Sequence, residues 1–239
     1  MSHPGKFSRV PILCYVTDRK SLTSEDGAQN EAALLKRIGK SAAAGVDWIQ
    51  IREKDLSAKE LSSLTRDAVA QTKQINERNR QASRVLVNER LDVARSEGAG
   101  GVHLGEHSLA VHDVCTWLAA KPDLAKGDKF LVGVSCHSIQ AAASAARVGA
   151  DYIFFGPVFA TPSKAPFGAP QGLLRLAEAC SCVSIPVFAI GGITLDNISD
   201  CLAMGAAGIA AIRLFQDAEN LASVITQLRA RLPLTAGGE

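Results

Sequence analysis

The segment Gln50-Ile51-Arg52-Glu53-Lys54 ends a short apolar run with two cations two residues apart. Alternation along an extended chain sends Gln50, Arg52 and Lys54 to one face and Ile51 and Glu53 to the other. Two cations on one face repel unless an anion lies between them. Asn88-Glu89-Arg90, with Asp92 beyond, and His103-Leu104-Gly105-Glu106-His107-Ser108 also follow apolar runs. Glu89, Glu106 and His107 have the chemistry for proton transfer or metal binding, and oxygen ligands would suit magnesium. Glu89 would equally serve only to bias the first turn of a helix. In Val134-Ser135-Cys136-His137-Ser138, Ser135 and His137 share a face, Cys136 points away, and Ser138 suits a helix N-cap. The stretch from Gly156 to Gly168 carries Thr161, Ser163 and Lys164 among three prolines. That is the composition of a lid loop whose lysine suits a polyanion. Gly191-Gly192 lets backbone approach a ligand closely, and Ile212-Arg213 follows the last apolar run.

The elements that must position these residues are eight short apolar runs beginning near Ile12, Val46, Arg84, Gly101, Phe130, Asp151, Pro186 and Ala207. Longer stretches between them, such as Glu31 to Ala44, Ala58 to Glu77 and Ile139 to Val148, lack proline and present an apolar stripe at helical period. Strands alternating with helices predict βαβ units and a parallel sheet. A small-residue helix end runs into a strand four times, marked by Gly45, Gly98, Gly149 and Gly205, which lie 53, 51 and 56 residues apart. Glycine just past a helix is a C-cap, because only glycine takes positive φ cheaply. Each period holds two βα units, so four periods give eight strands, the number that closes a single (β/α)8 TIM barrel. An open doubly wound sheet is the competing architecture.

The chain has 239 residues, 47% of them hydrophobic, which excludes a disordered chain and suits one barrel domain over 1–239, with the barrel proper at about 11–231 and loose termini. Aromatics at 5% suit buried parallel strands. Lys plus Arg is 26 against 24 for Asp plus Glu, a formal charge of +2, which argues against nucleic-acid and polybasic membrane partners. No apolar run is long enough to span a bilayer. Val10 to Val16 is followed by Asp18-Arg19-Lys20 rather than by a small-residue cleavage site, so it reads as a first strand of a cytoplasmic protein. The six cysteines form no CxxC and no zinc spacing, and read as free thiols. A homo-oligomer is left open.

In a barrel, function sits where strands end and βα loops begin. The loops after strands seven and eight then form one phosphate site, and Arg52, Lys54 and Lys164 form a second anion site across the mouth. Two anion sites imply two phosphorylated substrates, or one long one.

With Gln50-Ile-Arg-Glu-Lys54, Val87-Asn-Glu-Arg90, Gly101-Val-His-Leu-Gly105, Gly133-Val-Ser-Cys-His-Ser138, Gly156-Pro-Val-Phe159, Thr161-Pro-Ser-Lys164 and Ile190-Gly-Gly-Ile-Thr194, the chain resembles the thiamine phosphate synthase / thiazole tautomerase family from about Leu13 to Phe215. The resemblance implies condensation of hydroxymethylpyrimidine diphosphate with thiazole phosphate, giving thiamine monophosphate and pyrophosphate. It places Gln50, Ile51, Arg52, Glu53, Lys54, Asn88, Ser135 and Lys164 around the pyrimidine diphosphate. Thr161, Pro162, Ser163, Gly192, Ile212 and Arg213 fall around the thiazole phosphate. Arg52, Lys54, Ser135, His137 and Lys164 are the candidate catalytic groups. Mg2+ is the implied cofactor, at Glu89 and Ser108, where the synthase pattern has aspartates. Arg213 stands where the pattern has a small residue. The tautomerase branch also lacks those aspartates and moves protons with a histidine matching His137 to aromatise a thiazole carboxylate phosphate. A non-catalytic regulatory homologue and an unrelated phosphate-binding barrel, such as a tryptophan-pathway isomerase, complete the range of functions compatible with these motifs.

Overall fold

The computed structural model describes residues 10–22, 31–105, 108–121, 128–161 and 169–231. Its strands are β1 (Ile12–Val16), β2 (Trp48–Ile51), β3 (Arg84–Asn88), β4 (Gly101–Leu104), β5 (Leu131–Cys136), β6 (Tyr152–Phe155), β7 (Val187–Ile190) and β8 (Gly208–Ala211). Each pairs in parallel with its neighbours, and β8 pairs with β1, so the sheet closes as β1 through β8 in sequence order. The eight strands and the barrel predicted from the glycine repeat are therefore present, and the open sheet is excluded.

The described helices are α1 (Glu31–Ala44), α2 (Ala58–Asn79), α3 (Leu91–Ser96), α4 (Val111–Ala119), α5 (Ile139–Arg147), α6 (Gly172–Cys182), α7 (Ile198–Ala203), the one-turn α8 (Arg213–Gln216) and α9 (Leu221–Arg231). Local signals set several ends. Ser57 and Glu60 form a capping box at the start of α2, and Ser138 accepts from the Ala141 N–H as the N-cap of α5. Gly45, Gly98, Gly149 and Gly205 have φ of 92°, 70°, 102° and 94°. After each, the next residue donates back five positions: Val46 to Ser41, Ala99 to Ala94, Ala150 to Ala145, Ala206 to Cys201. This repeated C-cap turns the chain from helix into strand. It also explains why β2, β6 and β8 start one or two residues later than expected, whereas β5 and β7, each one residue late, follow no such glycine. The intervening residues hold the turn instead, as where Asp47 accepts from the Leu13 N–H and pairs with Arg229.

The strands sort their side chains by parity. Odd positions of β1 and β2, such as Leu13, Tyr15, Ile49 and Ile51, join the large core between sheet and helices. Even positions of β1, β3, β6, β7 and β8 enter the barrel, where Cys14, Val16, Leu86, Tyr152, Phe154, Phe188 and Ala210 form a separate apolar cluster, while in β4 and β5 the inward positions are odd, as at His103 and Gly133. The cluster's rings fit because opposite positions are glycine. A Cβ at Gly133 would lie 1.9 Å from Tyr152 Cζ, and one at Gly208 would lie 2.8 Å from the Phe188 ring. The lower barrel is thus apolar and aromatic, with Trp48 against Tyr152 at 4.8 Å and against Phe188 at 5.0 Å between ring centroids. No described helix is long and apolar enough to cross a membrane.

Candidate functional site

Above the aromatic floor the inward positions become polar, at the C-terminal ends of β2 to β5. Gln50, 2% exposed, donates through Nε2 to Asn88 Oδ1 at 2.9 Å, while its Oε1 is buried with no partner. His103 bridges two neighbours, with Nδ1 3.1 Å from the Tyr152 hydroxyl and Nε2 2.9 Å from Ser135 Oγ. Its ring lies 4.2 Å from that of Phe154. Burial first, and the Arg52 charge second, push His103 down to about 3, so the ring is neutral at any working pH. Gln50, Asn88 and Ser135, expected from the sequence as ligand contacts, therefore surround one end of the barrel together with Arg52.

β2 stops at Ile51, so the alternation read through to Lys54 does not continue as strand. Arg52 is half-buried and Lys54 exposed, and among the described residues Arg52 has no carboxylate partner. Lys54 pairs with Glu89 at 3.5 Å. Ile51 is fully buried in the core between sheet and helices, so its side chain does not enter the mouth. Glu53, 5% exposed, turns back beneath the end of β1. There it accepts from the Thr17 hydroxyl at 2.6 Å, from the Arg19 N–H at 3.1 Å and from Arg19 Nη1 at 3.3 Å. Arg19 also grips Asp55 through both terminal nitrogens, at 2.6 and 2.9 Å. The Arg52 N–H in turn donates to Thr17 Oγ1 at 3.0 Å. Glu53 and Ile51 thus position the two cations instead of reaching into the mouth with their own side chains. The carboxyl of Glu53 is raised above its ordinary range by burial, against the opposing hydrogen bonds of Thr17 and Arg19.

Glu89 has a left-handed backbone, φ 62°. Its Oε1 lies where a Cβ on Gly105 would stand, 2.5 Å away, and Ser108 Oγ donates to the Gly105 carbonyl at 2.9 Å. The two positions named as metal ligands therefore meet at Gly105. A cavity lined by Ile51, Glu53, Lys54, Asn88, Glu89 and Arg90, among others, opens beside them. Among the described residues no three of His, Cys, Asp or Glu cluster with metal-binding geometry. One carboxylate beside a hydroxyl still fits magnesium, which takes one or two protein carboxylates and fills its other positions with water and substrate phosphates. The Glu89 carboxylate faces Lys54 and Gly105.

Across the mouth, Gly191 and Gly192 have φ of 94° and 67°, and the β6 loop lies directly on them. A Cβ at Gly191 would meet Pro157 at 2.6 Å, and one at Gly192 would meet the Ala160 carbonyl at 2.7 Å. Val158 and Phe159 donate to the Ile190 and Gly191 carbonyls, and Asn197 Nδ2 donates to the Gly192 carbonyl at 2.9 Å. Ile212 packs on the barrel cluster, and Arg213 is exposed at the start of α8, whose first N–H groups lack intrahelical acceptors. His137 Nδ1 bonds the Gly156 carbonyl, which fixes Nδ1–H as donor and ties the end of β5 to the root of the β6 loop. Cys136 is buried in the helix-facing core, away from His137 as expected. Thr161 is half-buried at the last described position of that loop. Pro162, Ser163 and Lys164, and likewise Glu106 and His107, lie outside the described residues.

Sequence reasoning missed Thr17, Arg19, Asp55, His103 and Tyr152. Arg19 had a signal, a charged triplet immediately after the first strand. His103 had one too, since it stands at inward parity one residue before the end of β4.

Residues 13–215 match the family model described as thiamine monophosphate synthase. A putative thiamine-phosphate synthase of Geobacter sulfurreducens is 42% identical over 200 residues, covering 84% of each chain. A thiamine-phosphate synthase of Methanoculleus marisnigri is 41% identical over 193 residues, covering 80% of this chain and 84% of that one. Among solved structures, a thiamine phosphate pyrophosphorylase from Pyrococcus furiosus superposes with a TM-score of 0.74 at 28% identity, covering 92% of this chain and 94% of the other.

Proposed function

The chain belongs to the thiamine monophosphate synthase family, and from that membership we infer that it is a thiamine-phosphate synthase, a transferase that joins hydroxymethylpyrimidine diphosphate to thiazole phosphate and releases pyrophosphate. The observation that carries this reading is the convergence of Gln50, Arg52, Lys54, Asn88 and Ser135 on one side of a barrel mouth whose other side is the Gly191-Gly192 turn.

Each residue has a physical part in the reaction. The bond between the pyrimidine methylene and the diphosphate oxygen breaks, its electron pair leaving with pyrophosphate, and the thiazole nitrogen supplies the pair for the new carbon–nitrogen bond. The barrier falls to the extent that charge developing on the leaving group meets donors already in place. Arg52 offers a bidentate fork, Lys54 and Lys164 point charges, and Ser135 a hydroxyl donor. Gln50, held by Asn88, presents its unpartnered Oε1 as an acceptor for a donor on the pyrimidine. Gly192, Arg213, Thr161 and Ser163 take the thiazole phosphate, through backbone N–H groups, hydroxyls and one cation. Glu89 and Ser108 would hold Mg2+, which supplies further charge stabilisation on the diphosphate when bound.

The test is pyrophosphate release by the purified protein with both substrates, with and without magnesium. Release that requires both substrates and falls strongly in Lys164→Ala, with an unchanged circular dichroism spectrum, supports the assignment. No release under either condition overturns it.

A further inference from the structure

Ser135 can serve the diphosphate only if its single hydroxyl proton points outward, and nothing in its own strand decides that. The Ser135 hydroxyl meets His103 Nε2 at 2.9 Å, and His103 in turn meets the Tyr152 hydroxyl through Nδ1, at 3.1 Å. Two proton arrangements satisfy these distances. In one, Tyr152 donates to Nδ1, the ring carries its proton on Nε2, and Nε2–H donates to Ser135 Oγ. In the other, Ser135 donates to Nε2, and Nδ1–H donates to the phenol oxygen.

The surroundings of Tyr152 choose between them. The residue is fully buried in the apolar cluster of Cys14, Leu86, Phe154 and Phe188, and among the described residues its hydroxyl has no partner but His103. In the second arrangement the phenol proton would be buried without an acceptor, and leaving a buried donor unsatisfied is strongly unfavourable. In the first, the buried phenol and the ring N–H both have acceptors, and only the proton of the half-buried Ser135 is left, for the mouth. Burial also holds the phenol protonated and the imidazole neutral, as both arrangements require. Gly133 makes the contact sterically feasible, since any Cβ there would overlap the phenol carbon that bears the hydroxyl.

The geometry points to Tyr152 and His103 as positioning residues: the buried phenol fixes His103 as its Nε2–H tautomer, and that tautomer turns the Ser135 hydroxyl into a dedicated donor toward the bound diphosphate. The functional half of this inference rests on the synthase reading, whereas the tautomer does not.

Two measurements test it. Nitrogen-15 long-range NMR of histidine-labelled protein reports each ring's tautomer, and the His103 signals are those missing from His103→Gln. We expect Nε2–H for His103, in contrast to Nδ1–H for His137, and a mixture in Tyr152→Phe. An Nδ1–H tautomer of His103 in the unaltered protein overturns the inference whether or not pyrophosphate is released. In the kinetic arm, Ser135→Ala should lower kcat/KM at least about tenfold, as expected for a hydrogen bond to a charged group. Tyr152→Phe leaves roughly half the molecules in the competent tautomer, so kcat/KM should fall about twofold. In the Ser135→Ala background Tyr152→Phe should have no further effect, and His103→Gln, which keeps a donor toward Ser135, should retain more activity than His103→Leu. A Tyr152→Phe loss of equal size in both backgrounds would mean that the ring matters only as packing, and would refute the positioning role.

Discussion

Arg19→Met removes the clamp that holds the loop carrying Arg52 and Lys54. The Glu53 side chain is only 2% exposed and loses its charged partner at 3.3 Å, while retaining the Thr17 hydroxyl and the backbone N–H of residue 19. Deleting one member of a buried ion pair destabilises by about 3–5 kcal/mol. The retained hydrogen bonds, and the 41% exposure of the Asp55 side chain on the other arm of the guanidinium, place this case at the lower end, about 3 kcal/mol. For a domain of this size that lowers Tm by roughly 6–12 °C. The pH dependence is the sharper check. Burial already raises Glu53 with Arg19 beside it, and removing Arg19 raises it further. A carboxyl raised above its unfolded value of about 4.3 binds more protons in the native state than in the unfolded one. Its contribution is therefore fully favourable below that value and declines as pH rises through the folded pKa, by up to about 1.4 kcal/mol per pH unit. Urea unfolding of the variant and the parent should show a larger deficit at pH 7.5 than at pH 5. An equal deficit at both, or a loss below about 1 kcal/mol at pH 7.5, would refute the reasoning. At 25 °C, where the variant stays folded, kcat/KM should also fall, and Arg19→Lys should restore part of both properties.

Lys54→Ala should lower kcat/KM by about 10- to 100-fold, the worth of a charge-assisted contact to the diphosphate. Its exposed pair with Glu89 contributes at most about 1 kcal/mol, so calorimetry should find Tm changed by no more than about 4 °C. Glu89→Gly relieves a left-handed non-glycine backbone worth about 1 kcal/mol, so Tm should rise by a few degrees while Mg2+ binding, read by titration calorimetry, weakens. Gly133→Ala drives a methyl into Tyr152 and should destabilise by about 3 kcal/mol in chemical denaturation, with partial recovery when combined with Tyr152→Leu.

The barrel was legible because its determinants are local. Alternating apolar runs set the strands, and four glycines with positive φ set the period at which helices hand over to strands. The alternation that sets Gln50 apart from Ile51 and Ser135 apart from Cys136 was legible for the same reason, since side-chain direction in a strand depends only on counting. Counting failed where the strand ended. Nothing within Arg52-Glu53-Lys54 says that β2 stops at Ile51, because what bends Glu53 under β1 is Arg19, 34 residues away. His103 and Tyr152 were likewise silent, being separated by 49 residues and joined only when β4, β5 and β6 stand side by side. The sequence by itself determined that the residues gathered at the strand ends are cationic, hydroxylic and amide in character. Tertiary structure alone decided which of them make contact and how their protons are oriented, because a hydrogen bond depends on distances between strands that composition and spacing do not contain.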